Sequence, residues 1–266
     1  MSDAGIDFSI LSMPTPHISN FEVAREINEE FSAICKKYPD KFGFVATLPL
    51  PDVEGSIAEI DYSTKKLGTL GFKVASNSDG VYLGDERLDP IFAELNRQKS
   101  LVIMHPSPAR QLPRENVVTG RVMALYEYPA DTTRAVLNML ANGTLEKFPE
   151  IKFVVPHCGS FLPYMKQRAG AMFQMLSSMK MMEPVNIEES LKRLYFDLAG
   201  DPMPDALDML LKITDIDHIV YGSDYPYVPA PILLKKKQSL DYELKRQKLT
   251  NKIYIENSTK LLEVSR

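Results

Sequence analysis

HIVYGSDYP, residues 218–226, is an apolar run whose last step delivers the acid Asp224 into a turn fixed by Gly222 and Pro226. Two earlier segments follow the same plan. LVIMHPSP (101–108) and KFVVPHCG (152–159) are β-branched runs that end on a histidine beside a proline, His105 and His157. Short runs rich in Val, Ile and Phe are strands rather than helices. GIDFSILS (5–12), FGFVATLPL (42–50), GFKVAS (71–76) and LYFDLA (194–199) have the same character. The segments between them have helical period: Ala24, Ile27, Phe31, Ile34 and Tyr38 share one face, and Ile91 and Leu95 another. Repetition of strand, helix and strand implies right-handed crossovers and a parallel sheet. In barrels of parallel strands the loops after the strands share one mouth, so groups at strand ends converge. His105, His157 and Asp224 are therefore expected to form one site.

Seven strands are visible at 5–12, 42–50, 71–76, 101–105, 152–157, 194–199 and 218–224, whereas a closed parallel barrel takes eight. The missing strand is expected to be the first. An open barrel leaves unpaired backbone donors and acceptors on both sides of the gap.

A chain of 266 residues suffices for one large core, and one domain spanning 1–266 is expected. Hydrophobic residues make up 44% and charged residues 25%, with a formal net charge of -4, which removes any electrostatic reason to bind nucleic acid or anionic membranes. Cys35 and Cys158 are the two cysteines, too few for a disulfide framework, so a reducing, cytoplasmic location is expected. There is no apolar run of membrane-spanning length and no basic-then-apolar start.

With the site segments, GIDFSILSMPTP (5–16), YPDKFGFVATLPLPD (38–52), YLGDERLDPIFAELNRQ (82–98) and KFPEIKFVVPHCGSFLPYMKQRA (147–169) give the whole chain a recognisable pattern. It resembles the amidohydrolase-related family that includes aminocarboxymuconate-semialdehyde decarboxylase and the hydroxybenzoate decarboxylases. The resemblance implies an α/β fold, a (β/α)8 TIM-barrel-like domain, holding one divalent metal, usually zinc, with manganese as an alternative. By the same resemblance His105 and Asp224 are metal ligands, and His157 sits beside the metal and takes part in catalysis with Asp224. Arg168 falls where a substrate-carboxylate arginine is expected, one that reaches a neighbouring subunit's site, which implies a homodimer. The His-x-His or Glu-x-His pair of the family's first strand has no counterpart here. The expectation is that this chain lacks the first strand and its loop; the alternative is a degenerate relative without strong metal binding.

The resemblance implies a metal-dependent decarboxylase of a small aromatic or muconate-type carboxylic acid. The alternatives are a metal-dependent hydrolase of an amide or lactone, which needs the same groups, and a non-catalytic relative. Asn77, with Ser78 and Asp79, follows the third visible strand at the mouth and is a substrate-binding candidate, although turn formation explains these residues too. His17, after the first visible strand, is a minor candidate ligand. Asp197 is either a supporting carboxylate at the mouth or a buried acid held by hydrogen bonds. His218, at the start of its strand, and Cys158 read as structural. Met165, Met172, Met175 and Met179 recur at helical spacing and read as core or subunit packing. The basic run in LLKKKQ (233–238) reads as a solvated face.

Overall fold

The computed structural model describes residues 1–110, 117 and 122–263. Its strands are β1 (Ser9–Leu11), β2 (Phe42–Phe44), β3 (Ala46–Thr47), β4 (Phe72–Ala75), β5 (Asn77–Ser78), β6 (Val81–Tyr82), β7 (Leu101–His105), β8 (Lys152–Val155), β9 (Tyr195–Asp197) and β10 (Ile219–Val220). The α-helices are α1 (Phe21–Lys37), α2 (Val53–Tyr62), α3 (Asp89–Arg97), α4 (Glu127–Ala141), α5 (Thr144–Lys147), α6 (Leu162–Ser178), α7 (Ile187–Lys192), α8 (Ala206–Leu210), α9 (Ala230–Gln247) and α10 (Asn257–Glu263). Six strands form a parallel ladder in the order β10-β9-β8-β7-β4-β3, and β1 pairs with β2. Val45 alone separates β2 from β3. Its N–H donates to Leu11 O (3.0 Å), while the next N–H, of Ala46, donates to Gly71 O (2.9 Å). One bent stretch over 42–47 thus belongs to both ladders, and every expected strand appears, each in sequence order beside the next.

Among the described residues no strand lies between β10 and β1, so the barrel is open there. Loops and helices partly close the gap. The Tyr227 hydroxyl donates to Thr15 O across it (3.2 Å), and α9 packs against the turn at Ser2–Ala4. The residues of β1 are only half-buried, whereas those of β10 are buried.

The main core lies between the sheet and the surrounding helices, with Phe44, Phe72, Phe92, Phe153 and Phe196 as its largest enclosed side chains. A second cluster, Leu101, Val154, Tyr195 and Val220 capped by Leu261 of α10, fills the lower barrel interior. Close approach at the start of β4 requires glycine: a Cβ on Gly71 would lie 2.5 Å from Leu101 O. His218 lies at this lower end, its ring edge-on to Tyr195 at 4.6 Å, in keeping with a structural role.

The helix faces show one correction. Ile91 and Leu95 are buried in α3 as expected, but Ile34 and Tyr38 at the end of α1 are exposed. The face of α1 that meets the sheet is Ala24, Asn28 and Ser32. Hydrogen bonds outweigh apolar burial here: Asn28 donates to Thr47 O (3.0 Å) and accepts from Thr47 N (2.8 Å), and Ser32 donates to Leu67 O (2.8 Å). Asn28 thereby satisfies the backbone of β3 where that strand has turned away from β1. Asparagine at a helix position facing a sheet bend is invisible to a hydrophobic period.

Lys73 in β4 pairs in register with Ile103, a neighbour of the interior cluster, so its side chain enters the barrel. It is 1% exposed and its Nζ has no hydrogen-bond partner. Burial lowers its pKa to about 8. The folded state therefore holds this proton less tightly than the unfolded chain, and the penalty is full below pH 8 and fades as pH rises toward the unfolded value. Replacing the ammonium by an apolar chain of similar length, Lys73→Met, is expected to stabilise the protein at pH 7 by about 3 kcal/mol. Denaturant melts at pH 7 and pH 10 check this, with a smaller gain at the higher pH.

Candidate active site

The three strand-end residues meet. His105 closes β7, His157 follows β8 and Asp224 follows β10; one donor atom from each lies within 4.8 Å of the others. The two imidazole rings are 5.9 Å apart and edge-on. They sit in the wall of a cavity of about 460 Å³ that opens at the C-terminal ends of the strands. Tyr128, Pro129, Met209, Tyr227 and Val228 give the rest of that wall an apolar, aromatic surface.

Backbone geometry turns each group inward. His157, Cys158, Gly159 and Ser160 all have φ between 54° and 74° apart from Cys158 at 52°, a run of left-handed residues that L side chains rarely adopt. Asp197 at the end of β9 holds this turn: one carboxylate oxygen accepts from His157 N (2.9 Å) and from Ala199 N (3.0 Å). Gly222 permits this approach, since a Cβ there would come within 3.1 Å of the Asp197 carboxylate. Asp224 is itself left-handed, φ 55°, with its carbonyl accepting from Val228 N (2.9 Å).

The His105 Nδ1 lies 2.9 Å from Pro106 O. A carbonyl only accepts, so Nδ1 carries the proton and Nε2 keeps its lone pair. Burial first, then His157 and Lys73, lower the His105 pKa to about 3, so the ring is neutral at physiological pH. Burial raises Asp224, reinforced by Asp197 and opposed by His157 and Lys236; burial likewise raises Asp197, opposed by His157. His157 Nδ1 is buried without a hydrogen-bond partner. A neutral His105 with a free Nε2 lone pair, a His157 ring with one buried nitrogen lacking a hydrogen-bond partner, and a carboxylate that burial penalises form a donor set that a divalent cation fits.

Other candidates lie elsewhere. Asn77 is 1% exposed and outside the cavity wall, its amide donating to Ser107 O (3.3 Å), Pro108 O (3.3 Å) and Asp131 (2.9 Å) while its oxygen accepts from Gly80 N (3.1 Å). Its hydrogen bonds hold loops and leave no free donor for a substrate. Arg168 is exposed on α6 and does not line the cavity of its own chain. His17 Nε2 lies 2.7 Å from Leu50 O and 2.8 Å from Ser78 Oγ, which keeps it out of the trio. Cys158 reaches the cavity wall, but burial pushes its thiol up to about 12, which leaves no thiolate to act as nucleophile.

Sequence reasoning missed two features. Lys236, inside the basic run expected to be solvated, lines the cavity. Its spacing from the buried Leu233 and Leu240, three residues after one and four before the other, was the available signal. The second is a hub on Asp131, which is fully buried in α4. Asp131 accepts from Ser76 Oγ, from Asn77 Nδ2, from Tyr82 OH (2.6 Å) and from Arg134 (3.0 Å). Ser76 Oγ in turn accepts from Ser107 N (2.8 Å), and this fixes the loop whose Pro106 O orients His105. Asp131→Ala is expected to weaken divalent-metal affinity about tenfold through this chain of contacts. Titration of the metal-free protein with zinc or manganese, beside His105→Ala, in which binding should be lost, measures the effect.

Known proteins resemble this chain in sequence and fold. The 6-methylsalicylic acid decarboxylase of Penicillium expansum is 30% identical over 226 residues, 84% of this chain and 69% of that protein. A crystal structure described as an amidohydrolase II superposes with a TM-score of 0.89 at 29% identity, covering 99% of this chain and 86% of the other. The 5-carboxyvanillate decarboxylase of Novosphingobium aromaticivorans, solved with manganese and 4-hydroxy-3-methoxy-5-nitrobenzoic acid, superposes with a TM-score of 0.88 at 24% identity, covering 98% and 78%, and speaks to the fold alone. With the amidohydrolase description matching residues 16–264, nearly the whole length over which the open barrel and its trio are built, the chain belongs to the amidohydrolase family.

Proposed function

We propose that this chain is a metal-dependent decarboxylase of a small aromatic carboxylic acid. The observation that carries the reading is a cavity of about 460 Å³ with aromatic and apolar walls, into which His105, His157 and Asp224 all project. Its volume and walls suit a substituted benzene ring. Decarboxylases among the relatives, and manganese in one structural neighbour, support both the reaction and the metal.

His105 and Asp224 would hold the divalent ion, with His157 beside it; zinc matches two imidazoles and a carboxylate, and manganese is the alternative. The ion, when bound, supplies positive charge that stabilises negative charge accumulating on substrate oxygens. The chain's own residues do the rest. His157 or Asp224 delivers a proton to the ring carbon that bears the carboxylate. The bond from that carbon to the carboxylate then breaks, carbon dioxide departs, and the electron pair returns to the ring. Tyr128, edge-on to His105 at 6.3 Å, helps to exclude water from this face.

Arg168 shares one exposed face of α6 with Tyr164 (79% exposed), Met172, Met175 and Met179 (59% exposed). A second copy of the chain covering this apolar stripe would bring Arg168 to the partner's cavity, where its paired donors suit a substrate carboxylate. Sedimentation at micromolar concentration is expected to give twice the chain mass, and Met175→Glu a single chain mass; a monomeric unmodified protein rules the dimer out. Two free cysteines suit a cytoplasmic setting, and among the described residues no helix is long and apolar enough to cross a membrane.

The test of the reaction is carbon dioxide release from hydroxybenzoates by protein loaded with zinc or manganese, run beside lactones and anilides. Release from the acids is expected, with kcat lowered about 10²–10⁴-fold in His157→Asn and Asp224→Asn. Turnover confined to lactones or anilides would assign hydrolysis instead, and silence on both panels would count against catalysis.

A further inference from the structure

The three consecutive lysines of α9, Lys235, Lys236 and Lys237, have three different environments. Lys235 is exposed, and Lys237 bonds both oxygens of Asp241 (2.9 Å each) under the ring of Tyr254. Lys236 alone reaches the cavity, and among the described lining residues it is the one cation. Its Nζ lies 2.8 Å from Asp201 Oδ1, with the lysine side chain 29% exposed and the aspartate 75% exposed. A pair this open contributes little to stability, so it separates easily when a stronger partner arrives. Lys236 also exerts a Coulombic pull on Asp224, which places its charge within range of the trio.

Resting on the reading of the site as a decarboxylase of aromatic acids, we propose that Lys236 selects substrates carrying a second anionic substituent on the ring. Asp201 occupies the ammonium when the cavity is free and yields it to that substituent when the ring enters. The departing carboxylate would lie at the end of the cavity where His105 and Asp224 would hold the ion, with Tyr128, Met209 and Tyr227 lining the space for the ring between the two charged ends. A neutral substituent leaves Lys236 with Asp201 and gains nothing from the ammonium, whereas an anionic one gains a charge-assisted hydrogen bond, so the lysine discriminates between the two. Lys236 is then a specificity-determining residue, and Asp201 sets how much binding the lysine has free to give.

Isothermal titration of the metal-loaded full chain with salicylate and with 4-hydroxyisophthalate, which is salicylate bearing a second carboxylate, tests this without requiring turnover. Lys236→Met is expected to lower affinity for the diacid about tenfold more than for the monoacid, and Lys236→Arg to restore most of the difference. Asp201→Asn, on an exposed side chain that the fold tolerates, is expected to tighten the diacid about threefold relative to the monoacid. Equal effects on the two acids, or none on either, overturn the proposal. Absence of carbon dioxide release with the diacid preference intact would remove the decarboxylase reading and leave the anion preference standing.

Discussion

A single carboxylate oxygen of Asp197 accepts two backbone N–H groups, from His157 and Ala199, and the geometry of the mouth depends on it. The turn after β8 runs through four residues in the left-handed region, three of which carry side chains. Each such residue is disfavoured by about 1 kcal/mol or more, so the run persists only where its surroundings fix it. Without the Asp197 anchor, the chain would relax toward ordinary extended backbone and the His157 ring would swing away from His105. The same acid needs Gly222 opposite it, and Gly222 lies two residues before Asp224. One hydrogen-bonding centre therefore sets the position of two of the three converging side chains.

The third is set from the other side of the mouth. Asp131 fixes Ser76 and Asn77, these fix the loop at 106–108, and Pro106 O fixes the His105 ring. The two supports differ in kind: Asp197 acts on the backbone beneath a side chain, whereas Asp131 acts through a relay of hydroxyl and carbonyl groups. Both are acids withdrawn from water, which is tolerable because each accepts several hydrogen bonds. An acid held by more than one hydrogen bond is rigid, and rigidity at strand ends is what a reacting geometry within a few tenths of an ångström demands.

The sequence was most informative where local periodicity and strand-end chemistry coincide. LVIMH matches β7 residue for residue, and the other parallel strands fall inside their expected spans because β-branched runs between helices have few alternatives, whereas the short antiparallel pair β5–β6 was not expected. His105, His157 and Asp224 were legible because each terminates such a run. Asp131 was not: it lies in the interior of α4 and bonds residues 49 to 55 positions away, a separation that leaves no periodic trace. Lys236 was hidden differently, since a run of three lysines reads as a charged surface until the buried leucines on either side are counted around the helix. Asn28 and Asn77 mark a common limit: whether an amide bonds a loop or faces a ligand is decided by distant backbone.

The electrostatics of the mouth are held out of balance. Burial keeps His105 neutral down to about pH 3 and raises both Asp197 and Asp224, while Lys73, charged at neutral pH and lacking a partner, repels a proton on His105 from below. Every one of these shifts disfavours charge on the groups concerned, as is expected when low-dielectric walls enclose ionisable groups without a counter-ion. A divalent cation at the trio would reverse the balance for the acids, drawing Asp224 back toward its ionised form, and would take up the lone pair that the His105 tautomer leaves free. An aromatic acid entering the same cavity brings charge of the opposite sign. The cavity thus gains most when cation and acid arrive together, and the neutral His105 ring, which adds no charge of its own, keeps that joint binding compatible with a buried site.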